Sequence, residues 1–334
     1  MERPPTRLLF VPTGKVSSSE DYKQISLTEF KQMQEVTGYV LTPTGTYSVY
    51  QENFKAYTEA LDAQIKQLPD GKPYYIGIPV IDASDVYQYN SSHYTARKAF
   101  VIGMNNKYGG TGRLKGFYFT NERVFGTVSA SPPVSNAIVK LMNDLAYTIR
   151  NDPNSKIYKE FIWAPYLGYN STYYSINQNL GIVANRTNIF NTIYLQSGHF
   201  FTPQRGDGKG WNSSKRTGQP KENLDLARKC ARENKVFNYT ANNDAFVISS
   251  TPVGGSKTST TKIAIDVEAQ DELKRQQATY APLYESECEA YEPLLMNNAC
   301  PFVFYAGSYN GIVDCHLYLS IDAFYLNGSC RLPV

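Results

Sequence analysis

Tryptophan, histidine and cysteine are all scarce in this chain of 334 residues, which contains 2 Trp, 3 His and 5 Cys. The histidines, His93, His199 and His316, lie far apart, so the His-Glu-x-x-His motif of zinc hydrolases is absent. No two cysteines have the Cys-x-x-Cys spacing that structural zinc sites use. We therefore expect neither a metal site nor any other cofactor.

Long apolar runs and several well-known motifs are also absent. No stretch of about 18 apolar residues occurs, so we expect no membrane span. The apolar run from Leu8 to Val11 is too short for the core of a signal peptide. An intracellular location is therefore expected unless a signal was removed. The chain has no Gly-x-Ser-x-Gly elbow and no Walker loop, which excludes serine hydrolases of that type and P-loop proteins.

The excess of positive charge is small. The formal net charge is +3, and Lys and Arg are spread along the chain without a cluster. Because a surface that binds a polyanion needs such a cluster, nucleic acid is not an expected partner.

Tyrosine, by contrast, is abundant, with 27 Tyr beside 16 Phe. A tyrosine ring offers a flat apolar face and a polar tip, so it suits both a packed fold and a binding surface. Two interpretations stay open: the tyrosines fill a large fold, or they form a sugar-stacking cleft or a surface for self-association.

Four of the five cysteines lie between residues 288 and 330. One or two disulfides in this region and reduced, buried thiols are both compatible with the spacing.

Short apolar runs alternate with longer amphipathic segments along the chain. The segment Ser26-Leu27-Thr28-Glu29, for example, is a capping box that predicts the start of a helix. Eight strands are predicted, at Arg7–Thr13, Tyr39–Thr42, Tyr74–Pro79, Leu114–Thr120, Phe161–Pro165, Asn191–Gln196, Lys235–Thr240 and Pro301–Tyr305.

Eight strand–helix pairs predict an α/β fold, a single (β/α)₈ TIM-type barrel that covers residues 1–334. Near-continuous apolar strands agree with a parallel sheet buried on both faces. Segments 203–220 and 245–262, rich in Gly, Ser and Thr, are predicted to be loop excursions. An open doubly wound sheet is the alternative, and the absence of a Gly-x-Gly-x-x-Gly turn after any strand disfavours it.

The carboxyl ends of the strands form the working face of such a barrel. Glu122 follows Asn121 at the end of the fourth predicted strand, beside an aromatic segment. Burial there would raise the pKa of its carboxyl, which suits a general acid. Pairing with Arg123 or capping of the next helix is the structural alternative.

Glycoside hydrolysis normally needs two carboxylates, about 5–9.5 Å apart. Asp82 and Asp85 follow the third predicted strand, and Asp244 follows the seventh. Any of these could be the second carboxylate, and the sequence favours Asp244 or Asp82 without deciding between them.

Further polar and aromatic side chains at the same strand ends are candidates for substrate binding, although each has an ordinary packing role as its alternative. Trp163 and Tyr166 could stack on a sugar ring, and Gln196 and His199 could donate hydrogen bonds. The full set is Tyr118, Asn121, Trp163, Tyr166, Gln196, His199, Asn238 and Tyr305.

Three segments resemble bacterial glycoside-hydrolase-like (β/α)₈ barrel families of unknown function. They are Gly116-Phe117-Tyr118 followed by Glu122, the run from Phe161 to Tyr166, and the run from Phe190 to Gln196 followed by Phe200 and Phe201. The resemblance implies a carbohydrate-active barrel with Glu122 as acid/base. The related barrels tend to carry glutamates on strand seven, whereas the predicted strand Lys235–Thr240 has no carboxylate.

Two functions therefore stay open, and whether the chain is an enzyme is left undecided. The first is a glycoside-hydrolase-like barrel that acts on or binds a polysaccharide, with Glu122 as general acid/base and Asp244 or Asp82 as its partner. The second is a catalytically inactive barrel that binds carbohydrate, has a structural role, or self-assembles into a storage or crystalline body.

Overall fold

The computed structural model describes residues 6–14, 23–43, 54–79, 91–121, 136–165, 189–196, 235–240, 245–252 and 261–333. Ten strands lie within these ranges: β1 Arg7–Thr13, β2 Gly38–Pro43, β3 Tyr74–Ile78, β4 Leu114–Phe119, β5 Glu160–Trp163, β6 Thr192–Gln196, β7 Lys235–Thr240, β8 Ala245–Pro252, β9 Lys262–Glu268 and β10 Phe302–Tyr305.

Seven α-helices lie in the same described ranges: α1 Leu27–Phe30, α2 Lys55–Gln67, α3 Ser91–Tyr108, α4 Asn136–Arg150, α5 Glu272–Arg275, α6 Gln277–Met296 and α7 Leu317–Asn327. A 3₁₀ turn at Gly109–Thr111 and a π-helical turn at Asn310–Asp314 accompany them. None of the helices in this part of the chain is long and apolar enough to cross a membrane.

Eight of the strands close into a parallel barrel, in the order β1-β10-β9-β6-β5-β4-β3-β2. Helices follow most of these strands in the chain, as a crossover between parallel neighbours requires. The predicted (β/α)₈ fold is therefore confirmed.

The seventh barrel strand is not the predicted one. Lys235–Thr240 and Ala245–Pro252 pair antiparallel with each other in a separate two-stranded sheet. The barrel closes instead through β9, which pairs parallel with both β6 and β10. The prediction of strand seven at 235–240 was wrong, and so was the conclusion that strand seven lacks a carboxylate. The excursion predicted at 245–262 contains the second hairpin strand, and it ends where β9 begins.

Alternation along each strand divides the buried side chains into two layers. One alternate set packs between the sheet and the helices and includes Leu9, Tyr39 and Phe117. The other set fills the inside of the barrel: Leu8, Phe10, Val40, Tyr75, Tyr118, Ile162, Ala164, Tyr194, Ala264 and Val303. The interior is thus a packed core, as expected for eight strands.

Buried tyrosines also tie the helices to the barrel. The hydroxyl of Tyr57 on α2 donates hydrogen bonds to the carbonyl oxygens of Leu41 and Gly77, at 3.2 and 2.9 Å. The hydroxyl of Tyr325 on α7 donates to the carbonyl oxygen of Leu8 at 2.5 Å. These contacts let a large aromatic side chain fill the helix layer while its polar tip keeps a partner.

The capping box is present at the start of α1. The backbone N–H of Glu29 donates to Ser26 Oγ, and the backbone N–H of Ser26 donates to the Glu29 carboxylate. The helix nevertheless ends at Phe30, so a correct helix start did not lead to a long helix.

Gly116 lies where β4 and β5 approach each other closely. A Cβ atom at this position would lie 2.1 Å from the carbonyl oxygen of Glu160 on β5. We expect Gly116→Ala to lower the free energy of unfolding by about 1–3 kcal/mol, because the strands must move apart. Chemical denaturation measures this change.

Gly103→Ala is the matched control, since a Cβ at Gly103 meets nothing within 4 Å on α3. That substitution should leave the free energy of unfolding unchanged or raise it by up to about 1 kcal/mol. Equal effects of the two substitutions would contradict the steric argument.

Candidate functional site

Two carboxylates lie on β9, near the carboxyl end of the seventh barrel strand. Ile263, Ile265 and Val267 belong to the outer layer, whereas Ala264 belongs to the barrel interior. The same alternation directs Asp266 and Glu268 inward. Both are almost fully buried, with exposed fractions of 1% and 2%. Glu268 is the last residue of the strand, so it lies at the working end of the barrel.

Polar and aromatic residues on the neighbouring strands lie beside these carboxylates. Gln196 at the end of β6 is the register partner of Asp266, and Tyr305 at the end of β10 is the partner of Glu268. The Gln196 side-chain amide donates to the carbonyl oxygen of Ala164 at 2.9 Å, which holds its orientation. The predicted residues Gln196 and Tyr305 therefore lie next to a carboxylate pair that was not predicted.

An aromatic cluster lines the barrel below this end. The ring of Phe10 lies 5.1 Å from that of Tyr118 and 6.2 Å from that of Tyr305, in tilted and edge-on arrangements. Tyr118 is 3% exposed, so its ring belongs to the packed interior. Of the predicted tyrosines Tyr118 and Tyr305, half-buried Tyr305 is the one with an accessible surface.

The end of β4 is anchored from β5. The indole Nε1–H of Trp163 donates to the carbonyl oxygen of Asn121 at 2.9 Å. The Trp163 ring is fully buried in the helix layer and stacks on Phe190, with centroids 5.1 Å apart. Trp163 is therefore not available to stack on a sugar. It instead fixes the backbone of the residue that precedes Glu122.

Hydrogen bonds hold in place the segments that follow β9 and β10, next to Glu268. The backbone N–H of Glu268 donates to the carboxylate of Glu287 on α6 at 3.4 Å. Asn310 Nδ2 donates to Asp271 Oδ2 at 2.9 Å, which joins the segment after β10 to the segment after β9. Tyr309 donates to Glu29 Oε1 at 2.6 Å and so joins the segment after β10 to α1.

A second polar group lies at the amino-terminal end of the barrel. The Tyr75 hydroxyl donates to Glu160 Oε2 at 2.5 Å, and Glu160 begins β5 at the amino-terminal end. Burial raises the pKa of Tyr75, and the nearby Tyr194 and Glu160 add to the effect. Burial likewise raises the pKa of Tyr194, with contributions from Glu160, Cys300 and Asp266. Tyr194 is therefore close enough to Glu160 and to Asp266 for both carboxylates to raise its pKa.

A cleft of about 470 Å³ opens at the amino-terminal end. The charged residues that line it are Lys115, Arg150, Lys159 and Glu160. Since the chemistry of this fold belongs to the carboxyl ends of the strands, the cleft lies outside the candidate site.

Several predicted site residues lie outside the described part of the chain. This group contains all three predicted catalytic residues and two predicted binding residues: Glu122, Asp244, Asp82, Tyr166 and His199. Asn238 lies on β7, in the hairpin rather than on a barrel strand. Its predicted place at the end of strand seven was wrong, because that strand pairs only with β8 among the described residues.

The sequence contained a signal for the residues that were missed. Lys262-Ile263-Ala264-Ile265-Asp266-Val267-Glu268 is an apolar, β-branched run of strand length, directly before a helix. Because the hairpin strand Lys235–Thr240 was counted as the seventh of eight strands, the run Lys262–Glu268 was not assigned to the barrel. Among the described residues, no group of three or more His, Cys, Asp or Glu side chains is arranged to hold a metal ion.

Comparisons with known proteins identify the fold and not a family. No protein-family model matches the chain, and no curated protein matches it. The solved structure of the Clostridial cellulose synthase subunit Z from Clostridioides difficile matches with a TM-score of 0.51 and 12% identity, over 92% of this chain and 93% of that one. The ChiA C-terminal domain of Legionella pneumophila matches with a TM-score of 0.50 and 12% identity, over 97% and 100%.

The buried tyrosines predict a limit of alkaline stability. Burial raises the pKa of Tyr75, Tyr194 and Tyr325 above the ordinary value, so the folded protein keeps these phenols neutral. The unfolded chain ionises them near pH 10. Their contribution to stability is therefore complete below about pH 10 and is lost as the pH rises above it.

Absorbance at 295 nm and far-UV circular dichroism measure phenolate formation and unfolding in one titration. We expect the three phenols to ionise only together with the loss of structure. Tyr194→Phe should reduce the phenolate signal that accompanies unfolding by one tyrosine. If Tyr194→Phe instead reduced the phenolate signal that appears at pH values below the unfolding transition, this assignment would be contradicted.

Proposed function

We propose that this protein is a glycoside-hydrolase-like barrel that acts on a polysaccharide, with Glu122 as general acid/base and Glu268 as its carboxylate partner. The observation that carries the proposal is the position of Glu268. It ends the seventh barrel strand, faces inward and has Tyr305 and Gln196 on the flanking strands.

Glu122 comes three residues after Phe119, the last residue of β4, and directly after the last described residue of this segment. Asn121 is the residue before it, and Trp163 holds the Asn121 carbonyl from the neighbouring strand. Strand four and strand seven are three positions apart in the eight-stranded barrel, so we expect carboxylates that point inward from their ends to approach each other across the mouth. This is the arrangement that cleavage of a glycosidic bond between two carboxyl groups requires.

Glu268 is the better partner for Glu122 than the carboxylates predicted from the sequence. Asp82 and Asp244 fall outside the residues that the structure describes, whereas Glu268 is held by the sheet and by the contact of its backbone N–H with Glu287. Asp266 lies two residues further into the barrel. We assign Asp266 to the support of Glu268 rather than to contact with substrate.

The chemistry divides between the two glutamates. Glu122 protonates the oxygen of the leaving sugar, while Glu268 either attacks the anomeric carbon or activates a water. The separation of the two carboxyl groups decides between these routes: about 5–5.5 Å gives retention, and about 6.5–9.5 Å gives inversion. Asn121, Gln196 and Tyr305 are the proposed contacts to the sugar.

The nature of the substrate draws support from one comparison. The Clostridioides difficile protein is named as a subunit of a cellulose synthase, and the match spans nearly the full length of both chains. A polysaccharide is therefore the proposed substrate class.

Glu268→Gln tests the proposal directly. On a panel of aryl glycosides and polysaccharides, we expect kcat/KM to fall by at least about a hundredfold, because the carboxylate loses its charge and its nucleophilicity. Glu122→Gln should cause a loss of similar size. A 2-fluoro aryl glycoside, which slows the second step, should leave a covalent sugar on Glu268 if the route is retaining.

Glu160→Gln is the control at the opposite end of the barrel, since Glu160 begins β5 at the amino-terminal end, where its side chain is exposed. Its activity should equal that of the unmodified chain. Full activity of Glu268→Gln would refute the assignment of Glu268. If the unmodified chain cleaves no member of the panel but binds a polysaccharide in calorimetry, the protein is a carbohydrate-binding barrel and not a hydrolase.

Trp163→Phe tests whether the β5 anchor positions Glu122. The ring stacking on Phe190 is kept, but the hydrogen bond to Asn121 is lost. We expect kcat to fall by about tenfold to a hundredfold, with KM within about twofold, because a small displacement of the acid slows the chemical step.

Phe161→Leu is the matched control, because Phe161 is also buried in the outer layer of β5 and contacts Phe190. It should lower the free energy of unfolding without lowering kcat. If both variants reduce kcat equally, the effect of Trp163 is general packing rather than positioning.

A further inference from the structure

We propose that Cys288 and Cys330 form a redox-active thiol pair, which oxidises to a disulfide that fastens the C-terminal segment to helix α6. The sequence left open whether the cysteines between residues 288 and 330 are paired. In the structure Cys288, Cys300, Cys315 and Cys330 form no disulfide bonds. The proposal is independent of the glycoside hydrolase function.

The C-terminal segment is directed onto α6 by the end of α7. Gly328 caps α7 with a left-handed backbone, φ 74°. A Cβ at this position would lie 2.1 Å from Glu292 Cγ on α6, so the chain crosses α6 here in close contact. Nearer the start of α7, the Tyr284 hydroxyl donates to the Ser320 carbonyl oxygen at 3.4 Å. This hydrogen bond also joins α6 to α7.

Cys330 then meets the turn of α6 that carries Cys288. The Cys330 Sγ–H donates to the carbonyl oxygen of Glu285 at 3.6 Å. Cys288 is three residues further along the helix, and its thiol is hydrogen-bonded to that of Cys330. Residues three apart on a helix share one face, so Cys288 and the Glu285 carbonyl that Cys330 contacts lie on the same side of α6.

The two thiols differ in reactivity. Cys330 is half-buried, and the hydrogen bond from Cys288 lowers its pKa below the ordinary value. Cys288 is fully buried, and burial raises the pKa of its thiol. Because the thiolate is the attacking form, Cys330 reacts first and Cys288 resolves the intermediate.

A small-molecule disulfide such as glutathione disulfide is the oxidant. The Cys330 thiolate attacks one sulfur of this disulfide, which forms a mixed disulfide and releases one glutathione thiolate. Cys288 then loses its proton to solvent and attacks the Cys330 sulfur, which releases the second glutathione thiolate. Two protein thiols are oxidised, and one glutathione disulfide is reduced to two thiols.

The cross-link would close the last strand–helix unit of the barrel. Residues 288–330 contain β10 and α7, which complete the barrel between β9 and β1. Helix α6 also carries Glu287, whose carboxylate accepts the backbone N–H of Glu268. The disulfide would therefore stabilise helix α6, which contacts the end of β9 through Glu287.

The experiment uses the full reduced chain, incubated with glutathione disulfide. We expect the thiol count under denaturing conditions to fall from five to three, with five being the number of cysteines in the chain. Intact mass should fall by about 2 Da, and digestion should give one cross-linked peptide containing Cys288 and Cys330. Tm should rise by about 5 °C, because a loop of this length loses entropy mainly in the unfolded chain.

Cys330→Ser should abolish both the cross-linked peptide and the rise in Tm. Cys315→Ser is the matched control: Cys315 is also buried, and charged groups of α5 lie near it. This variant should keep both effects. A stable mixed disulfide on Cys330, a cross-link between other cysteines, or an unchanged thiol count in the unmodified chain would each overturn the proposal.

Discussion

Closure of the barrel by β9 is the constraint on which the rest of the structure depends. The strand pairs in parallel with β6 on one side and β10 on the other, so it joins the first six strands to the last. Its alternation places isoleucine and valine against the helices and turns Asp266 and Glu268 inward. One strand therefore completes the core and supplies the buried carboxylates.

The candidate site follows from this register rather than from any single motif. Gln196 and Tyr305 gain their relation to Asp266 and Glu268 only because β6 and β10 flank β9. On the other side of the barrel, the Trp163 indole holds Asn121, so Glu122 follows a fixed backbone. The buried Trp163 ring thus holds the backbone just before one proposed catalytic residue, and the sheet holds the other.

Much of the fold could be predicted from local pattern. Seven of the eight predicted barrel strands overlap strands of the barrel, because apolar runs of strand length between amphipathic helices are a local signal. The error at 235–240 arose because β7 and β9 both have strand-like sequences. Which of them joins the barrel depends on pairing with β6 and β10, and that pairing links residues far apart in the chain. The choice between sugar stacking and packing for Trp163 stayed open in the sequence for a related reason, since the face on which a strand residue lies depends on register.

Residue order determined the barrel class, the capping box at Ser26 and the position of Glu122 directly after strand four. Only the tertiary structure decided which strand is seventh, that Glu268 lies beside Tyr305, and that Cys330 meets Cys288. The physical reason is the range of the interactions. Hydrophobic periodicity and caps act over a few residues, whereas barrel closure and thiol contact require segments that are distant in sequence to pack together.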